Sequence, residues 1–286
     1  VSAPEASVAD LAAPRLPPLA RFSTVFAWGV RRAVRSRRFA LTAGIATLAG
    51  LGLGWVARQH PDEVFAAWHL LGESLLGVAV PLVALALVGS GFGEEVQDRT
   101  LVFHLVRPVS RTTVFLARFL AGLLCGVVAS AAMLLAAASF LDLPGGALLR
   151  LAAIGALGTA TVGSVYYALA ALFRRGLVAG LVYTFVVEGF VQFLPGSIQK
   201  LSLMHHVRSV FHRSLDEEFA ARSSEVSAAL APPPPATLDP SDLVQAGARE
   251  EWTTVPSALL VCGVVIAGAL LLAARSVARR DFALKD

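Results

Sequence analysis

Six apolar stretches, each bounded by charges and each close to the roughly 20 residues a helix needs to cross a hydrocarbon core, dominate this chain. They are Phe39–Ala57, Ser74–Gly93, Phe119–Leu141, Leu151–Phe173, Gly176–Gln199 and Trp252–Ala274. Only the fifth holds a charged residue, Glu188. Backbone in lipid must satisfy its own hydrogen bonds, and no run of short alternating strands is present, so helices are expected. The 286 residues would suffice for one or two soluble domains, but 56% are hydrophobic and only 15% charged, too few to clothe a water-facing surface. The sequence therefore reads as an all-α polytopic membrane protein.

Arginine placement sets the expected topology. Arg31, Arg32, Arg35, Arg37 and Arg38 precede the first stretch, and Arg99, Arg107 and Arg111 lie between the second and third. Arg174 and Arg175 separate the fourth from the fifth, and Arg275, Arg279 and Arg280 follow the sixth. The alternate short loops carry only Arg58 and Arg150 at their edges, so both termini are expected in the cytoplasm. The net charge of +4 is explained by these lipid-flanking arginines, so no nucleic-acid partner is expected. Arginine-rich composition without asparagine suggests a GC-rich bacterial genome, and with it the bacterial cytoplasmic (inner) membrane. Cys125 and Cys262 each fall inside an apolar run and imply neither a disulfide framework nor a zinc site.

The expected organisation follows in chain order. Residues 1–20 form a flexible cytoplasmic tail, and the first apolar run starts too late for a cleaved signal peptide. Residues 21–38 place Phe22, Val25, Phe26, Val30, Ala33 and Val34 at helical spacing among arginines, predicting a basic amphipathic helix on the cytoplasmic leaflet. A soluble helix packing on a partner is the other reading of that segment. Residues 39–195 hold transmembrane helices one to five, with a cytoplasmic loop at 94–112; Pro81 should kink the second. Residues 196–251 form an external helical loop in which Leu203, Val207, Val210, Phe211, Leu215 and Phe219 mark an amphipathic helix ended by Pro232–Pro235. A short helix at Ser241, the sixth span at 252–274 and a cytoplasmic tail at 275–286 complete the chain.

An ATP-driven machine needs a P-loop lysine preceded by glycine, but Lys200 and Lys285 follow Gln199 and Leu284. Nucleotide chemistry would have to reside on a separate subunit. The most informative segment is Glu94 to Gly122, EEVQDRTLVFHLVRPVSRTTVFLARFLAG. An acidic pair leaves the second span (Glu94, Glu95), followed by Thr100-Leu101, then Pro108-Val109-Ser110-Arg111, and Arg118 enters the third span. This order resembles the signature of type-2 ABC transporter permeases. Arg99 stands where that family often has glycine, and Arg118 where it often has lysine. The resemblance implies an all-helical permease subunit of an exporter. It would dimerise and bind two cytosolic ABC ATPases, with ATP and Mg on those partners and no cofactor in this chain. Glu94, Glu95, Arg99, Leu101, Leu105, Pro108 and Arg111 are then the expected ATPase-coupling residues, and Ser110 the cap of the following helix.

Other readings compete. A scaffold or sensor driven by an ATPase partner, without transport, has the same architecture. Glu94-Glu95-x-x-x-Arg99, Phe65-x-x-x-His69 and His212-x-x-x-Asp216 resemble the intramembrane CAAX-type glutamate proteases. However, the roughly 25 residues between His69 and Glu94 separate them by over about 30 Å along a helix, too far to converge on one catalytic centre. Met204, His205, His206 and His212 invite a metal reading, but no carboxylate or cysteine accompanies them, so no metal site is expected. Glu188 should face the bundle, met by a donor such as Tyr183 or Gln192, and serve either helix packing or a pathway. Gly122-x-x-x-Gly126 permits close helix approach.

Overall fold

The computed structural model describes residues 17–59, 71–89, 110–141, 143–173, 175–191, 196–215 and 253–279, and all regular structure among them is helical. The helices are α1 (Pro18–Val34), α2 (Arg37–Gln59), α3 (Leu71–Gly89), α4 (Arg111–Ala138), α5 (Gly145–Leu172), α6 (Gly176–Phe190), α7 (203–215) and α8 (Val255–Arg279). A 3-10 turn at Gly196–Leu201 precedes α7. Among the described residues five helices, α2, α3, α4, α5 and α8, are long and apolar enough to cross a membrane, and α6 is a shorter apolar helix. The chain is thus a multi-pass membrane protein by its helices.

α4 and α5 form the centre, and the other helices pack around them. α2 approaches α4 almost backbone to backbone. A Cβ at Gly50 or Gly54 would collide with the carbonyl oxygens of Met133 and Ala137, so only glycine permits this spacing. Gly122 and Gly126, nearer the start of α4, admit two other helices: a Cβ at Gly122 would lie 3.1 Å from the Leu87 carbonyl of α3, and one at Gly126 3.0 Å from Thr159 of α5. Buried hydroxyls add polar links. Ser130 Oγ lies 2.6 Å from Thr159 Oγ1, and Tyr167 donates to the Phe115 carbonyl at 3.0 Å.

Helices outlast the apolar runs where polar groups find partners. α4 starts at Arg111 because the Ser110 side chain accepts the Thr113 N–H at 3.2 Å, the capping expected of it. α1 and α2 are separate helices with an elbow at Arg35–Ser36, where Ser36 Oγ donates to Ala33 O at 2.6 Å and accepts from Phe39 N at 3.1 Å. In α3, wide π turns at Leu71–Ala79 and Leu85–Gly89 flank an α segment, Val80–Ala84, that carries Pro81 in its first turn. The irregularity surrounds the residue that lacks an N–H and crowds the preceding turn.

Candidate functional site

α7 is the unusual element, because its polar face is buried along with its apolar one. Leu203, Met204, Val207, Phe211 and Leu215 are in the core, and so are His205, His206, Arg208, Ser209 and His212. Its position follows from two glycines. The Phe211 ring lies 3.0 Å from where a Cβ would stand on Gly72, near the start of α3. Val207 and Met204 lie 3.3 and 3.8 Å from the same point on Gly158, halfway along α5. At the other end Arg150, in the second turn of α5, reaches Ser214. α7 therefore runs antiparallel to α5, and its N-terminus sits about 12 Å deeper than Arg150, taking eight residues at 1.5 Å each. It is a half-helix inserted among longer ones.

A helix start in such surroundings exposes N–H groups that water cannot reach, each costly unless bonded. Glu188 of α6 meets them. Its Oε1 accepts from Leu203 N at 3.1 Å and Tyr183 OH at 2.8 Å, and its Oε2 from Met204 N at 3.1 Å and Ser202 Oγ at 2.6 Å. Ser202 also caps α7, accepting from His205 N at 3.3 Å. Glu188 is only 1% exposed and every one of these four contacts is a donor, which sets its carboxylate at the positive end of the α7 dipole.

Local backbone makes this possible. Tyr183–Phe190 is π-helical. On an α-helix residues five apart diverge by about 140°, whereas the wider π turn brings them to nearly the same face. Tyr183 and Glu188 are five apart, and the widening lets the phenol support the carboxylate. Tyr166 of α5 stacks edge-on against Tyr183 at 6.0 Å and shares a 2.7 Å hydrogen bond with Thr184.

Three further neighbours hold α7. Arg208, 3% exposed, forms an ion pair with Glu73 of α3, whose side chain is 31% exposed. Arg150 Nη1 donates to the Ser214 carbonyl at 2.9 Å, placing a cation at the negative end of the helix. Ahead of α8, Thr253 donates its N–H to Ser209 Oγ at 3.3 Å, and its carbonyl accepts from Arg213 Nε at 3.0 Å. His206 Nε2 donates to the Lys200 carbonyl at 3.0 Å, and in that tautomer Nδ1, 3.3 Å from Thr253 Oγ1, accepts from the hydroxyl.

Of the residues singled out in the sequence, Glu188 is buried and facing the bundle, with Tyr183 as a donor. Gln192, Glu94, Glu95, Arg99, Leu101, Leu105 and Pro108 lie outside the described residues, as do His69 and Asp216. Arg111 is the first residue of α4. Among the described residues no group of three or more His, Cys, Asp or Glu side chains could hold a metal. Glu73, Arg208, Ser202 and Thr253 escaped the sequence reading. Only Ser202, a capping residue before an apolar periodic run, carries a local signal. Searches against protein-family models and curated proteins find no match to this chain.

Proposed function

We propose that the chain is the permease subunit of a bacterial ATP-driven ABC exporter in the cytoplasmic membrane. In this reading six helices span the membrane, α6 being the short fifth, and both termini are cytoplasmic. The observation that carries the reading is the order of residues from Glu94 to Gly122, with its acidic exit from one span and Pro-Val-Ser-Arg lead into the next. The capped start of α4 at Ser110 suits a loop that passes force into a rigid helix. The buried half-helix, with its N-terminus on a carboxylate at mid-height of the bundle, belongs to the repertoire by which transporters build irregular backbone inside a membrane. Two copies pair around a pathway, and two cytosolic ATPases dock on the loops at 94–112.

Desolvated apolar anchors dominate such contacts, while rim charges mainly set register. Replacing Leu101 and Leu105 by alanine should therefore weaken retention of the ATPase more than Arg99→Ala does. Glu94→Lys with Glu95→Lys should uncouple ATP hydrolysis from transport. The experiment is purification of the tagged chain from native membranes, identification of a bound ATPase, and pull-down with each variant. A chain that brings down no ATPase, or variants that all retain it with coupled transport, would overturn the proposal.

A further inference from the structure

α1 divides its circumference into three sectors, one of which packs on the bundle. At about 100° per residue, Phe22, Val25, Phe26, Gly29 and Ala33 share one side. That side packs on α4, where a Cβ on Gly29 would lie 3.0 Å from the Ala121 Cβ. The next sector carries Leu19, Val30 and Val34, with Leu19 82% and Val34 49% exposed. The third carries Arg31 and Arg35, both exposed, with Arg32 and Trp28 along its edge. Trp28 is held there between two guanidinium groups, 4.3 Å from Arg118 Cζ and 5.4 Å from that of Arg32. Arg37 and Arg38, also exposed, continue the basic surface past the elbow. Residues 17–59 contain seven arginines and no acidic residue.

We infer that this surface binds anionic phospholipid headgroups of the bilayer leaflet, with the Leu19–Val34 sector on the acyl chains and Arg31, Arg35 and Arg37 on the phosphates. A soluble helix docked on α4 would have no use for a second apolar sector at right angles to its basic one. An interfacial helix needs both, since hydrocarbon lies on one side of it and headgroups on the other. Charge complementarity selects the lipid: the arginines face a leaflet whose anionic members supply the missing negative charge. The inference rests on the chain spanning a membrane and is independent of any ATPase.

The test is native mass spectrometry of the full chain in detergent, titrated with phosphatidylglycerol or phosphatidylcholine of identical acyl chains. The first phosphatidylglycerol should bind at least about fivefold more tightly than phosphatidylcholine, the contribution of roughly one arginine. In R31Q/R35Q/R37Q the preference should fall to near unity, and 0.5 M salt should weaken it in the native chain. Val34→Glu leaves every arginine in place but spoils the apolar sector, and should reduce retention of both lipids. Equal binding of the two lipids by the native chain would overturn the inference, as would an undiminished preference in the triple variant. Competition by 10 mM inorganic phosphate would also overturn it, by revealing a site for small anions instead of a leaflet.

Discussion

Replacing Glu188 by glutamine preserves shape and removes charge, and the geometry around this residue says what should happen. The carboxylate accepts four hydrogen bonds, two from backbone N–H groups of Leu203 and Met204 and two from the hydroxyls of Tyr183 and Ser202. Glutamine keeps one acceptor oxygen and puts an NH2 in place of the other. Whichever way the amide turns, its NH2 faces a hydroxyl and a backbone N–H. The hydroxyl can rotate to accept, but the backbone N–H cannot. One buried donor is thereby orphaned, at about 1–3 kcal/mol. Loss of the charge at the helix start removes up to about 2 kcal/mol more. The sum, about 1–5 kcal/mol, corresponds to a fall in melting temperature of roughly 2–15 °C for a chain of this size. Melting would be followed by size exclusion in detergent after heating. A cysteine placed at Val207, buried in the native chain, would report by maleimide labelling whether α7 has left the bundle. A Glu188→Gln variant that melts within 1 °C of the native chain and labels no faster would refute the account of α7 as a helix anchored by this carboxylate.

Three further outcomes are expected. Glu73→Gln should destabilise by about 1–3 kcal/mol, below the full cost of breaking a buried pair because Glu73 is partly solvated, and Glu73→Gln with Arg208→Met should recover part of the loss; detergent melting curves of the single and double variants decide. Gly54→Val should drive α2 away from α4 at a cost of about 1–3 kcal/mol or more, which disulfide trapping between cysteines on the two helices would report as lost proximity. Ser110→Ala should cost about 1 kcal/mol by removing the α4 cap, read as lower thermal stability with α4 still inserted.

The apolar runs were legible because hydropathy is a local property, and each run lies within a helix or overlaps one. Their ends were less so. Arg150 bounds a run but does not end α5, since it reaches the Gly146 and Ser214 carbonyls from within the helix. Glu188 was legible as a buried acid, and Tyr183 as its donor, because both lie in one short segment. The burial of α7 was not. Its apolar periodicity is that of a helix with one wet face, and the groups that dry the other face are remote: Glu73 stands 135 residues from Arg208, and Thr253 stands 47 from His206. Pairing at such separations leaves no trace in a periodicity. The glycines of α2 were equally silent, since Gly50 and Gly54 differ from Gly44 and Gly52 only in what stands opposite them.

The attachments of α7 also imply an order of assembly. Glu73, Arg150 and Glu188 all precede it in the chain and are already synthesised when it emerges from the ribosome. Thr253 is made about forty residues later, so the last latch closes only when α8 arrives. During that interval a half-helix bearing three histidines and two arginines must be accommodated by a bundle still open on one side. The carboxylate of Glu188 gives it an early foothold, seizing its first N–H groups as soon as they exist. Biogenesis of this protein would then turn on one acidic side chain holding a polar segment in place until the C-terminal helix seals the bundle over it.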